Sequence, residues 1–140
     1  MFWFEGDLVL HDSIKSIGVN SFWYCNGFNG NLYLSKELVK IPSYAFCNCY
    51  GFVGDLVIPE YVNFIDKRSF SNCYGFNGHL ILPKKLIVID QEAFYNCSNL
   101  SGSLNLPNNL IDIGENAFNN CCSFSGNLSI PKLIKTINPF

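Results

Sequence analysis

Apolar residues return at fixed 24-residue intervals along almost the whole chain. Leu8, Leu32, Leu56, Leu80, Leu104 and Leu128 form one such column, and two residues after each stands Leu10, Leu34, Ile58, Leu82, Leu106 or Ile130. A spacing of two puts both side chains on one face of a strand. Pro59, Pro83, Pro107 and Pro131 follow directly in four copies, with His11 and Ser35 in the other two. Proline lacks a backbone donor, so each strand is predicted to stop there and turn.

Beyond the turn come Ile14, Leu38, Val62, Leu86, Leu110 and Ile134, and three residues later Ile17, Ile41, Ile65, Ile89, Ile113 and Ile137. Their β-branched surroundings predict a second extended segment. Phe22, Phe46, Phe70, Phe94 and Phe118 each follow a small residue, Ser21, Ala45, Ser69, Ala93 or Ala117, which leaves room for the ring in an interior layer. Cys25, Cys49, Cys73, Cys97 and Cys121 stand three residues past each ring, the spacing of one helical or 3₁₀ turn. Phe28, Phe52, Phe76, Leu100 and Phe124 close each unit two residues before Gly30, Gly54, Gly78, Gly102 and Gly126, as Phe4 does before Gly6.

A unit of this length written several times over cannot bury its apolar face alone and does so against its neighbours. The prediction is a single repeat domain over residues 1–140. Its units are 7–30, 31–54, 55–78, 79–102 and 103–126, with a partial unit at 127–140 and residues 1–6 ending a preceding one. The units form a β-dominated solenoid, a right-handed stack of about five and a half coils with parallel β ladders and short helical or 3₁₀ turns. About eight positions of each unit point inward, and coils stacked at about 4.8 Å turn each position into an interior column.

These columns resemble the BspA-like subtype of leucine-rich repeats. The residues that carry the resemblance are Leu80-Ile81-Leu82-Pro83, Leu86-Ile87-Val88-Ile89 and Ala93-Phe94-Tyr95-Asn96-Cys97, repeated with variation from residue 4 to residue 137. The glycine makes this unit longer than is common in the subtype. The resemblance implies a non-enzymatic interaction module like surface adhesins and antigens, with a protein or glycoprotein partner and a cell-surface or secreted location. The alternative is a structural or self-associating segment of a longer array.

Composition narrows the partner classes. Nine Lys plus Arg against eleven Asp plus Glu give a formal net charge of −2, with the basic residues scattered, so nucleic acid and anionic membranes are not expected partners. Apolar runs are far shorter than the roughly 20 residues of a membrane span. The opening Met1-Phe2-Trp3-Phe4-Glu5 lacks the basic leader and cleavage site of a secretion signal.

Seven cysteines raise metal and disulfide chemistry. Five belong to the inward column and read as buried small hydrophobes, with parallel side chains poorly placed for bridging. Cys47 and Cys122 lie off it, without a second pair or a histidine at zinc-site spacing. His11 and His79 are expected at the surface without a carboxylate partner in register. No phosphate loop, dinucleotide fingerprint or nucleophile motif occurs, so neither a cofactor nor catalysis is expected. Three Asn-x-Ser sequons begin at Asn96, Asn99 and Asn127.

In a solenoid, recognition falls to the positions that do not repeat. The outward residue between the two strand leucines is Val9, Tyr33, Val57, Ile81, Asn105 and then Ser129, an apolar line that turns polar. A second outward row runs through Ser16, Lys40, Phe64, Val88 and Asp112. Val9, Tyr33, Val57, Ile81, Asn105, Phe64 and Val88 are the candidate partner-binding residues. Open strand edges at the two ends also predict end-to-end self-association, with Met1 to Phe4 and Pro139-Phe140 as improvised covers.

Overall fold

The computed structural model describes residues 4–140. Eight two-residue strands alternate with turns: β1 (Leu8–Val9), β2 (Leu32–Tyr33), β3 (Lys40–Ile41), β4 (Leu56–Val57), β5 (Phe64–Ile65), β6 (Leu80–Ile81), β7 (Val88–Ile89) and β8 (Asp112–Ile113). All pair in parallel, and every register joins residues 24 apart, such as Leu8 with Leu32 and Ile41 with Ile65. The coils stack with like residues over like.

A hydrogen-bonded turn follows each strand of the first ladder closely and keeps it short. In the turns at Pro59, Pro83 and Pro107 the proline carbonyl accepts from the amide three residues on, Val62, Leu86 or Leu110, at 3.1 to 3.2 Å. His11 and Ser35 make the same turn, their carbonyls accepting from the amides of Ile14 and Leu38. Ser35 is wholly buried at this position, and its hydroxyl donates to the Ile14 carbonyl at 2.6 Å. A polar group there is accommodated because it finds an acceptor in the coil before.

The interior consists of aligned columns. Leu38, Val62, Leu86 and Leu110 form one, and Ile41, Ile65, Ile89 and Ile113 another, all of them buried. Phe22, Phe46, Phe70, Phe94 and Phe118 stack with centroids 5.3 to 5.6 Å apart and planes within 10° of parallel. Phe4, Phe28, Phe52 and Phe76 make a second stack at 5.5 to 5.7 Å. Offset stacking at coil spacing adds about 0.5 to 1.5 kcal/mol per pair to the burial itself.

Cover thins toward the last partial unit. Leu128, Ile130 and Ile137 are exposed, contrary to their column's expectation, because a column residue needs a coil on each side. Phe140 partly replaces that cover: its ring lies 5.2 Å from Phe118, while the Pro139 carbonyl accepts from Asn116 N–H at 2.7 Å. The corresponding cover expected at the other end falls on Met1 to Trp3, outside the described residues; Phe4 stacks on Phe28.

The expected helical turns take another form. No helix occurs among the described residues. From Pro42 to Cys49, alternate amides close i to i+3 turns, with Ala45, Cys47 and Cys49 donating to Pro42, Tyr44 and Phe46 at 3.2 Å. The intervening amides of Tyr44, Phe46 and Asn48 donate instead to Lys67, Ser69 and Ser71 of the next coil, at 2.8 to 3.1 Å. Tyr44 and Asn48 have φ of 57° and 63°, which breaks the run of helical dihedrals and frees every second amide for the neighbour. Asn48, Asn72, Asn96 and Asn120 share that left-handed position, which asparagine tolerates. Their side chains form an amide ladder, each Nδ2 donating to the Oδ1 one coil earlier at 2.6 to 3.0 Å.

The cysteine column is a ladder too. The thiols of Cys49, Cys73, Cys97 and Cys121 donate to the carbonyls of Phe22, Phe46, Phe70 and Phe94 at 2.8 to 3.1 Å. Burial pushes the Cys73 and Cys97 thiols well above their ordinary value and those of Cys49 and Cys121 up to about 12. All seven cysteines are free thiols, and among the described residues no three potential ligands converge on a metal site.

Candidate interaction site

The two strand ladders differ in continuity. β3, β5, β7 and β8 form one unbroken sheet, whereas the first-strand ladder exists as two separate pairs, β1 with β2 and β4 with β6. The cause lies in the glycine column. Gly6 and Gly54 carbonyls accept from the amide 24 residues on, Gly30 and Gly78, at 2.9 Å. The Gly30, Gly78 and Gly102 carbonyls accept instead from the amide 23 residues on, Val53, Ser101 and Ser125, at 2.8 to 2.9 Å. At each slipped interface the glycine of the later coil, Gly54, Gly102 or Gly126, has φ of 74° to 85°. Gly30 and Gly78, at the unslipped interfaces, do not.

Aspartate marks the unslipped interfaces. Asp7 Oδ1 accepts from Asn31 N–H and Asp55 Oδ1 from His79 N–H, each at 2.7 Å. Only glycine fits opposite: a Cβ on Gly30 or Gly78 would come within 2.1 to 2.2 Å of that oxygen. His79 Nδ1 also lies 3.5 Å from Asp55 Oδ1, so the histidine does have a carboxylate in register, one unit earlier, contrary to expectation.

On this frame the outward row of the first ladder stands clear of the core. Val9 is 62% exposed, Tyr33 50%, Val57 47% and Ile81 47%, while Leu32, Leu56 and Leu80 beside them are buried. Val9 pairs in register with Tyr33, and Val57 with Ile81, so the row falls into two apolar couples. Asn105 is exposed and continues the line. Phe64 and Val88 are paired on the separate second ladder, Phe64 exposed and Val88 half-buried. Charge frames that pair: Lys40 precedes it, 2.8 Å from Asp66, and Asp112 follows.

Further apolar surface adjoins the second ladder. Val39 and Ile111 are exposed, and a hollow of about 470 Å³ is lined by Tyr61, Asn63, Lys85, Ile87, Asn109 and Ile111. Lys85 Nζ sits 4.4 Å above the Tyr61 ring, a cation–π contact. The signal for these residues lay at the first x position of the Leu-x-x-Ile step, Val39, Asn63, Ile87 and Ile111, and at the residue just before the step, Tyr61, Lys85 and Asn109. Tyr50 and Tyr74 stack at 5.3 Å on the edge beside the glycines. Of the sequon asparagines, Asn96 is tied into the amide ladder on both sides and Asn99 donates to the Tyr74 carbonyl at 2.7 Å.

No helix among the described residues is long and apolar enough to cross a membrane. A search of curated proteins gives no match. Among solved structures, a leucine rich cell surface protein from Faecalibacterium prausnitzii A2-165 is similar, with 25% identity and a TM-score of 0.62 over 86% of this chain. The match spans 38% of that protein's chain. The family model for the BspA type leucine rich repeat region matches six copies across residues 6–77 and 77–140. Families of this kind are in general non-enzymatic repeat scaffolds for protein interaction. With aligned columns, parallel ladders and a match over nearly its whole length, the chain belongs to the BspA-type leucine-rich repeat family.

Proposed function

We propose that this repeat domain is an adhesin-like module that engages a protein or glycoprotein partner at a cell surface through its first strand ladder. The observation that carries the reading is the line of Val9, Tyr33, Val57 and Ile81, about half exposed or more although the strands of the last three bury Leu32, Leu56 and Leu80 completely or nearly so and Leu8 beside Val9 is half-buried. Aligned apolar side chains on a rigid scaffold mark an interaction surface more strongly than scattered ones. Asn105 bounds the row on its polar side, and Phe64 and Val88 offer a second apolar pair on the neighbouring ladder. The cell-surface location draws its support from the Faecalibacterium protein's description.

The test replaces Tyr33, Val57 and Ile81 together by serine and compares capture of proteins from a host-cell surface extract by both forms. Loss of a specific captured protein, with the thermal midpoint and circular dichroism unchanged, is expected. Equal capture by the folded triple variant would assign binding elsewhere.

A further inference from the structure

The turn face, built from the hydrogen-bonded turns between Pro42 and Cys49 and their counterparts, carries a trough of about 360 Å³ that breaks the repeat. The position just after the phenylalanine of the stack is Trp23, Cys47, Ser71 and Tyr95 in successive coils. The two rings stand out from the surface, and the cysteine and serine between them are buried. Trp23 and Tyr95 are three coil steps apart, about 14 Å at strand spacing, so the two small residues leave a gap of about 10 Å closed at each end by a ring. Cys47 and Ser71 form its floor.

Polar side chains make the long walls. On one side Arg68 Nε donates to Glu92 Oε2, in register one coil on. The pair holds the guanidinium protonated and draws the Glu92 carboxyl below its ordinary range. On the other side runs the amide ladder, in which Asn72 Nδ2 donates to Asn48 Oδ1 at 2.7 Å. The ladder stops at Asn48, because the preceding coil holds Tyr24 at that position, and Asn48 Nδ2 is left as its terminal donor.

Three features select the ligand chemistry. Charge in the trough cancels within the Arg68–Glu92 pair, so an anion meets the carboxylate and a cation meets the guanidinium. Backbone groups of the floor are already used between coils, Asn48 N–H donating to the Ser71 carbonyl and Asn72 N–H to the Tyr95 carbonyl at 2.8 Å, which leaves no strand edge for an extended peptide. What remains are aromatic faces at the ends and planar donors and acceptors along the sides. Groups that both donate and accept, set on a ring with apolar C–H faces, satisfy all of these at once.

The geometry points to a carbohydrate site: the trough between Trp23 and Tyr95 binds one or two pyranose units of a neutral glycan, the rings packing against sugar C–H faces and Arg68, Glu92 and Asn48 taking hydroxyls. It lies on the turn face and does not rest on the strand rows.

The experiment titrates isotope-labelled protein separately with maltotriose, cellotriose, chitotriose and galactotriose, and with sialyllactose and a tryptophan-containing tetrapeptide as the charged and peptide alternatives. At least one neutral trisaccharide is expected to shift the Trp23 indole and Asn48 side-chain amide signals, with a dissociation constant on the order of a millimolar. Trp23→Ala removes an exposed end wall, and Ser71→Tyr fills the gap with the ring that the same position carries in the next coil. Each is expected to weaken binding at least about tenfold with an unchanged thermal midpoint. Absence of any shift with all four sugars at about ten times that concentration overturns the site. So does undiminished sugar binding in both variants, or preference for sialyllactose or the peptide.

Discussion

The Cys73 thiol donates to the Phe46 carbonyl at 3.0 Å, reaching from one coil to the coil before it. The same carbonyl accepts the Cys49 amide within its own coil at 3.2 Å. One oxygen thus closes a turn and ties two coils, and a thiol suits the second task because it is small, apolar and a weak donor. An alanine would pack but forgo this tie, leaving the backbone bonds such as Phe46 N–H to the Ser69 carbonyl to join the coils. Cys73→Ala is expected to cost about 1 to 2 kcal/mol, for a lost hydrogen bond and a small void, measured by urea unfolding. A neutral result would reduce the ladder to filling space.

The same thiols make stability depend on alkaline pH. Burial raises the folded-state values of Cys49 and Cys121 from 9.0 to about 12, and those of Cys73 and Cys97 well above 9.0. Between those limits the folded chain keeps protons that the unfolded chain loses. The stabilisation is therefore complete below about pH 9 and falls as pH rises toward about 12, by about 1.4 kcal/mol per pH unit for each such thiol. Cys97→Ala should flatten the decline by one thiol's share when unfolding free energies near neutrality and near pH 10.5 are compared. Parallel declines in the variant and the parent would mean that Cys97 titrates as freely when folded as when unfolded.

The central phenylalanines bear the largest single loads. Phe94 is fully buried and stacks at 5.6 Å on Phe70 and 5.3 Å on Phe118. Phe94→Ala is expected to cost about 3 to 5 kcal/mol by denaturant unfolding. Less than about 1 kcal/mol would require the column to repack with unusual ease.

The inward columns were legible because burial imposes one residue class at one interval, and each copy votes on the same position. The exposed line of Val9, Tyr33, Val57 and Ile81 was legible for the complementary reason, being what the period leaves free. The slip between β2 and β4 was not, since Gly30 and Gly54 occupy the same column and differ only in φ. Asp7 and Asp55, recurring every second unit, were the available sign. The Asp55 and His79 pair was open to the same reading, because the two stand 24 apart in one column and stacked coils bring such residues together. The turns misled for a physical reason: a three-residue spacing from Phe46 to Cys49 fits a helix equally well until Tyr44 and Asn48 turn left-handed.

Glycines of one chain are expected to differ sharply in what they tolerate. A Cβ on Gly51 would lie 2.1 Å from the Phe28 carbonyl oxygen and 3.0 Å from that of Asn26, both backbone atoms of the preceding coil. Gly51→Ala must push the coils apart and is expected to cost about 3 kcal/mol. At Gly6 a Cβ meets nothing within 4 Å, but φ is 85°. Gly6→Ala pays only dihedral strain, about 1 kcal/mol. Thermal unfolding of the two variants side by side checks the ordering, and equal losses would contradict the close approach at Gly51.

Ser69 offers a change in the stabilising direction. Its side chain is wholly buried, and Oγ has no hydrogen-bond partner. Ala45 and Ala93 hold the same position in the coils on either side, so the site already accepts a methyl group in both neighbours. Removing the hydroxyl takes away a desolvated polar atom and leaves a void smaller than a water molecule, and the first effect outweighs the second. Ser69→Ala is expected to raise stability by about 1 kcal/mol. Ser21 is the control from the same column, since its hydroxyl donates to the Gly18 carbonyl at 2.6 Å at an exposed site. Ser21→Ala should lose a few tenths to about 1 kcal/mol. Opposite signs for the two substitutions, read from urea unfolding at neutral pH, would isolate the missing partner at Ser69 as the cause; destabilisation at both would show that Ser69 Oγ finds an acceptor after all.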